Sequence, residues 1–344
     1  MTDLPASSDV AIIGGGFAGC ATAWALGRRG VRAVVLERES TLGRFASGRG
    51  AGLGRQLVDD DVTTALTVRG AAVLRGELSA AWAATGGILS FDDRAEAARY
   101  RDRAARFAVA VEPIEPAHVR ACWPAFERLP IAAALRVPGD GVIDIKCLLA
   151  IYAASCDIAY GVTVQRAVHD GRGARLLTCR GELSAAVVVD AAGAWAGRAT
   201  GHPPLEPFTR QLFAIEAVAG VTAPYLWHLG ATEVYARRDG DAVLISACDA
   251  VLGEPCDAQP DPAGAARLRT LLEAAAPQYA GASVLRHWAC QRTFTRERTM
   301  RLGRDAERPW LVWAAGLGGH GATASAAVGE TVAGAVIAAL DRVA

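Results

Sequence analysis

The segment SDVAIIGGG is a continuous apolar run closed by three glycines, the pattern of a parallel strand covered on both faces. FAGCATAWALGRRG follows at helical length, and VRAVVLE is a second apolar run ending in an acid. Together they predict one βαβ unit. Farther on, Val62, Leu66, Leu74, Leu78 and Trp82 recur at multiples of four, which predicts a helix from Asp59 to Trp82, N-capped within the Asp59–Asp61 cluster. Residues 93–109 read as a charged helix with solvated Arg-rich faces and carry no chemistry. VTVQRAVHD, ARLLTCRG and AAVVVDAAGAWAG predict three successive strands, and EVYARRDGDAVLISA a hairpin turning at Asp239-Gly240. The second half is therefore β-rich. GEPCDAQPDPAG, residues 253–264, reads as a Pro and Gly loop at a mobile edge. Near the end, WLVWAAG predicts a strand that feeds the glycine turn GLGGHG and an Ala-rich helix.

Length and charge narrow the classes of partner. A chain of 344 residues suits two domains that share an interface. The 36 Lys and Arg balance the 36 Asp and Glu, so no global field draws in nucleic acid or an anionic membrane, and the expected partner is a small molecule. No apolar run reaches the ~18 residues of a membrane span; VAGAVIAAL is expected to be a packed helix. The start, MTDLPASSDV, lacks a basic region followed by an apolar stretch, and a cytoplasmic location is expected. Eight cysteines stand singly, with no CxxC pair to suggest zinc, a redox dithiol or a disulfide framework.

The candidate chemistry begins at Gly14, Gly16 and Gly19, a GxGxxG spacing between a strand and a helix. The first glycine permits the tight turn, the second lets the backbone approach a pyrophosphate, and the third allows close packing of helix on strand. Glu37, 18 residues beyond Gly19, ends the next strand, where an acid accepts hydrogen bonds from ribose hydroxyls. This is a dinucleotide site. The turn at 316–321 also matches GxGxxG, but no strand with its own acid follows it, so it is no second nucleotide site. It can instead aim the positive end of a helix at an anionic group of the one cofactor. That arrangement suits a reduced flavin.

With these segments in view, the chain resembles the D-amino-acid oxidase family of FAD enzymes, which includes glycine oxidase and the monomeric sarcosine oxidases. The resemblance rests on IIGGGFAG with LERE, SGRGAGLGR, GVIDIKCLL, VVVDAAGAWAG and WAAGLGGHGATASAAVGE, five segments in the family's order over nearly the whole length. It implies an α/β fold in which a Rossmann-like FAD-binding domain, residues 1–80, 140–212 and 305–344, joins a β-rich substrate domain of mixed sheet and helices, residues 81–139 and 213–304. It implies cofactor contacts from Phe17 and Ala18 in the first turn, from Arg38 beside Glu37, and from Ser47, Gly48, Arg49, Ala51, Gly52 and Leu53 in a loop against the flavin ring. Val164 and the turn residues Ala192, Gly193 and Trp195 are expected beside the nucleotide. The closing turn and helix add Gly316, Gly318, Gly319, His320, Gly321, Ala322 and Thr323, with His320 expected to contact flavin ahead of any role as a base.

On the substrate side, WACQRTFTRERTMRLG departs from the family's pattern, with Thr293 and Glu297 where it has Pro and Asp, and Gly50 replaces the usual Asn after Arg49. Arg292 falls on the arginine that clamps a substrate carboxylate, a task suited to a planar guanidinium. Tyr235 matches a strand tyrosine that points into the substrate cavity. Cys290 lies where sarcosine oxidases attach flavin covalently and glycine oxidase has glycine. The implied activity is oxidation of a small D-configured or glycine-like amino acid by hydride transfer to flavin N5, with oxygen or another carrier as acceptor. One non-covalent FAD per chain is expected, with a covalent link through Cys290 as the alternative. Oxidation of an N-methyl or cyclic secondary amine is the second reading, and a non-catalytic flavin-binding sensor or scaffold the third.

Overall fold

The structure is a computed structural model that describes residues 4–202, 205–222 and 224–342. The first strand, Ser7–Ile13, and the second, Ala33–Glu37, pair in parallel across the helix Phe17–Gly27, so the βαβ unit forms as its apolar runs require. They sit inside an eight-stranded sheet. Strand Gly181–Asp190 lies on the other side of the first strand, also in parallel, and Leu311–Ala315 continues along its far half. Val164–His169 and Ala174–Thr178 complete an antiparallel meander with it, the three strands expected.

The closing helix, Gly321–Leu340, is 20 residues long, more than the apolar segment that marked it. Among the described residues it is long and apolar enough to cross a membrane, but 61% of its apolar window is buried inside the fold. It packs on the first helix at glycine distance: a Cβ at Gly329 would meet the carbonyl of Ala21. Its other neighbour is the helix Asp61–Arg75.

That helix is shorter than its pattern implied. Asp60 caps it, its side chain accepting from the Thr63 amide at 2.7 Å, but it ends at Gly76 and does not reach Trp82. Leu78 is buried beyond its end, and Trp82 opens a two-residue strand opposite Ile143. Val62 is 58% exposed, whereas Thr63, Thr64, Thr67, Gly70, Ala71 and Leu74 are the buried face. The cause is close approach, since a Cβ at Gly70 would collide with the carbonyl of Thr323. Small residues share this interface with Leu74 and set its closeness.

The second layer is a nine-stranded mixed sheet. Its longest strands, Glu206–Glu216 and Val284–Phe294, run antiparallel with Arg210 opposite Cys290 and Phe208 opposite Arg292. Strand Glu206–Glu216 spans residue 212, where the expected boundary fell, and strand Arg301–Arg304 belongs to the eight-stranded sheet. The hairpin forms with Asp239 opposite Ala242, which makes Gly240 and Asp241 its turn, one residue later than expected. Helix Pro262–Ala275, capped by Asp261, covers one face with Leu268 and Leu272, and the opposite face turns toward the first layer. The charged helix is present as Arg94–Arg106. Residues 253–264 are pinned: Gly253 donates to the Pro207 carbonyl at 3.0 Å, and Asp257 forms ion pairs with both Arg44 and Arg49.

Candidate active site

A cavity of about 530 Å³ runs from the first glycine turn to the inner face of the nine-stranded sheet. At its first end, Gly14 has φ +105°, and a Cβ there would lie 2.6 Å from the Ala191 carbonyl, so only glycine allows the first strand and the 191–197 turn to meet. Gly16 caps the first helix without a side chain, and the Phe17 amide donates to Ser47 Oγ at 2.9 Å. Gly19 does not touch the cavity; a Cβ there would strike the Gly14 carbonyl, which is the helix-to-strand packing its spacing implied. Gly48 is likewise absent from the wall, because it closes its own loop against Gly43. Every other residue singled out from the sequence lines the cavity.

Glu37 already serves the backbone. One carboxylate oxygen accepts from the Gly15 amide at 2.7 Å and the other from the Glu39 amide at 2.8 Å, which leaves further lone pairs on an 8% exposed side chain. Beside it, the Arg38 guanidinium stacks 3.8 Å from the Trp195 ring centroid and 4.5 Å from that of Phe45. Ala192 and Gly193 belong to a turn held by the buried Asp190, which accepts from the amides of Ala192 and Gly197 and from Thr200. Val164 lies on the same side of the cavity.

The middle of the cavity is formed by the loop 45–53, and the nine-stranded sheet fixes that loop through its backbone. Trp288 Nε1 donates to the Arg49 carbonyl at 2.9 Å, and Arg237 Nε donates to the Ala51 carbonyl at 2.6 Å. Arg49 in turn donates to the carbonyls of Ala258 and Ala289 and pairs with Asp257. Opposite stands the closing turn, where Gly316, Gly318 and Gly319 all have positive φ. The closing helix begins at Gly321 with His320 as N-cap and no side-chain cap, so its first amides are available to an anionic group. Thr323 Oγ1 ties its first turn to the Leu53 carbonyl at 3.1 Å.

The far end is built from side chains on strands. Alternate residues share a face, and this brings Arg210 with Leu212, Cys290 with Arg292, and Tyr235 to the cavity. Arg292 Nε is buried with no hydrogen-bond partner, and a Cβ at Gly319 would come within 2.7 Å of Arg292 Cδ, so the closing turn rests on this side chain. Burial and the neighbouring Arg210 push the Arg292 guanidinium down to about 10. Burial holds the Cys290 thiol above its ordinary range, against the pull of Arg292, Arg210 and Arg49. Tyr235 is 4% exposed, tilted against Trp227 with ring centroids 4.9 Å apart, and burial raises its hydroxyl. Burial, with the charges of Arg55, Arg292 and Arg210, pushes His320 down to about 3, so it is neutral at ordinary pH.

Several wall residues escaped the sequence reading, and three carry chemistry. Arg55 ends the marked segment SGRGAGLGR but was given no role, whereas Arg210 and Trp227 belong to no motif and are brought in by strands distant in the chain. Phe45 was missed as well, though it stands two residues before the marked loop.

One cavity thus joins the first glycine turn to an arginine-lined wall across the two sheets. The chain belongs to the FAD dependent oxidoreductase family, whose model matches residues 9–335. It is 30% identical to the mitochondrial sarcosine dehydrogenase of Homo sapiens over 276 residues, 72% of this chain and 30% of that protein. The chain spans less than a third of the length of the curated relatives it matches. Among solved structures it is similar to an L-proline dehydrogenase from P. horikoshii, with TM-score 0.87 and 22% identity over 96% of this chain and 93% of that one. It is also similar to a glycine oxidase from Geobacillus kaustophilus, with TM-score 0.84 and 24% identity over 97% and 95%. These establish the mixed α/β fold with its Rossmann-like and β-rich layers.

Proposed function

We propose that the chain binds one FAD and oxidises a small amino acid at the carbon bearing the amine. The observation that carries this reading is the continuity of one cavity from the glycine turn at Gly14–Gly16 to a buried Arg292 whose Nε has no partner within the protein. In this reading the eight-stranded layer is the cofactor domain and the nine-stranded sheet the substrate domain, with the boundary before strand Glu206–Glu216. Sarcosine dehydrogenase, L-proline dehydrogenase and glycine oxidase are each named for a small amino acid, which supports the substrate class.

The residues present fit FAD. The 2.6 Å approach at Gly14 leaves its turn free of side chains, Glu37 keeps lone pairs for ribose hydroxyls, and the uncapped closing helix faces the loop 45–53. When bound, the flavin supplies a two-electron acceptor for the substrate's hydride. The chain's own task is positioning. Arg292 holds the carboxylate with its planar fork, the Tyr235 hydroxyl supports it, and the amides of Gly321, Ala322 and Thr323 stabilise negative charge across the cavity. Neutral His320 is a contact and takes no proton from substrate.

The test is anaerobic bleaching of the FAD-loaded protein by D-amino acids, glycine, sarcosine and cyclic imino acids. At least one should bleach it, and NADH and NADPH should not. If no amine does so with FAD fully bound, a flavin-binding sensor or scaffold replaces the enzyme. Secondary amines remain the second substrate reading. Attachment of FAD through Cys290 is the alternative to non-covalent binding, because that sulfur lines the cavity, but burial disfavours the thiolate that would form the bond. Acid-precipitated protein should therefore leave its yellow colour in the supernatant; a yellow pellet means a covalent bond.

A further inference from the structure

The substrate end of the cavity holds more positive charge than one carboxylate needs. Arg55, Arg210 and Arg292 all line it. Arg210 is 4% exposed and committed in part, its Nε donating to the Asp249 carbonyl at 3.1 Å and its Nη2 to the Cys248 carbonyl at 2.7 Å. Arg55 is 5% exposed, and both its Nε and Nη1 are buried without a hydrogen-bond partner. No ion pair joins Arg55 or Arg292 to an acid among the described residues. The carboxylates that feel the charge of Arg55 balance part of it without reaching an ion pair: Asp59, which Arg55 helps hold ionised, accepts from Tyr100, and Asp140 accepts from Gln56 and Tyr225. Glu233 accepts from Trp227 Nε1 at 3.0 Å and does not reach the wall.

Buried guanidinium groups left unpaired are costly unless a ligand completes them. Arg55 and Arg292 pack against different neighbours. The Arg55 guanidinium lies 3.8 Å over the Trp227 ring, toward Asp59 and Tyr100. Arg292 lies against Gly319 and Cys290 on the long strand pair. His320, which feels both charges, is itself uncharged. A single carboxylate on Arg292 leaves the Arg55 fork empty.

We infer that the substrate carries two acidic groups: Arg292 takes the carboxylate next to the amine, and Arg55, held flat on Trp227, takes a second carboxylate on the side chain or on the nitrogen substituent. This rests on the amine-oxidising reading above and narrows it to acidic amino acids or imino diacids. Arg210, bonded to two carbonyls, sets the local charge and need not touch either group.

The experiment uses the FAD-loaded protein, its Arg55→Met variant and the charge-retaining Arg55→Lys, with FAD occupancy and thermal stability matched. Two readouts are taken. In the first, kcat/KM is measured for aspartate, glutamate (both enantiomers) and iminodiacetate against alanine, glycine and sarcosine. In the second, binding of succinate and glutarate against propionate is followed by calorimetry, which needs no turnover. The parent should favour the acidic substrates and the dicarboxylates by at least about 30-fold, the size expected for losing a buried charged partner. Arg55→Met should erase that preference, lowering the acidic substrates at least about tenfold more than the neutral ones, and Arg55→Lys should fall between. Equal use of neutral and acidic compounds by the parent, or equal losses for both in Arg55→Met, overturns the inference. Arg55-dependent dicarboxylate binding with no amine oxidised upholds the two-anion site and overturns only the oxidation reading.

Discussion

The two ends of the cavity are made of different material. The nucleotide end is backbone: glycines that let chains approach, the N-termini of two helices, and a carboxylate that ties a loop. The substrate end is side chain: Arg55, Arg210, Trp227, Tyr235 and Arg292, carried by strands and loop ends that lie far apart in the chain. A backbone site needs particular residues at fixed local spacing. A side-chain site needs only that a sheet bring suitable residues to one face, and many sequences do that.

Gly14→Ala should produce the largest change at the backbone end. It places a methyl group 2.6 Å from the Ala191 carbonyl at φ +105°, where strain alone costs about 1–3 kcal/mol and the clash adds to it. FAD retention should fall at least about 1,000-fold in a titration of the apoprotein, a drop of about 4.1 kcal/mol. Normal retention would mean that the turn is not where the cofactor lies. Glu37→Ala is expected to be milder, about 1.5–3 kcal/mol in FAD affinity, because it loses a charge-assisted acceptor and also frees the Gly15 and Glu39 amides. Glu37→Gln keeps one acceptor oxygen and should recover part of that loss; unchanged affinity in both variants removes Glu37 from the site.

The smallest effect belongs to His320. Its folded value of about 3 lies below the ordinary imidazole range, so it does not titrate between pH 5 and 9. The kcat/KM profile should rise with pH through ionisation of the substrate amine alone. His320→Asn should leave the position of that rise unchanged, even if the plateau falls. A shift of the inflection would make His320 a base and blur the division between the two ends.

Legibility in the sequence follows the same division. The βαβ unit, the strand meander and the glycine turns were readable because apolar runs and glycine spacings are local signals. Arg292, Tyr235 and Cys290 came into view through family resemblance, and spacing alone singled out none of them. Arg55 lay in the marked segment SGRGAGLGR without an assigned role, and Arg210 gave no signal, since an arginine bound for a buried wall looks like one bound for solvent until its strand is placed. The helix at Asp61–Arg75 failed in an informative way. Its buried face combines Leu74 with Thr63, Thr67, Gly70 and Ala71, small residues that permit closeness to the last helix, so the large apolar residues alone marked part of that face, included the exposed Val62 and ran past the helix end.

Arg292 carries the central claim, that the side-chain end binds an amino acid by its carboxylate. The direct measurement is kcat/KM for the best amino acid and for its decarboxylated amine, in the parent and in Arg292→Ala, with FAD occupancy verified in both. Loss of a buried charged partner costs about 2–5 kcal/mol, so the amino acid should lose roughly 30-fold to several-thousand-fold. The decarboxylated amine, a poor substrate of the parent, should be nearly indifferent to the change. Equal losses for the two substrates would contradict the account and make Arg292 a support for the closing turn that rests on it.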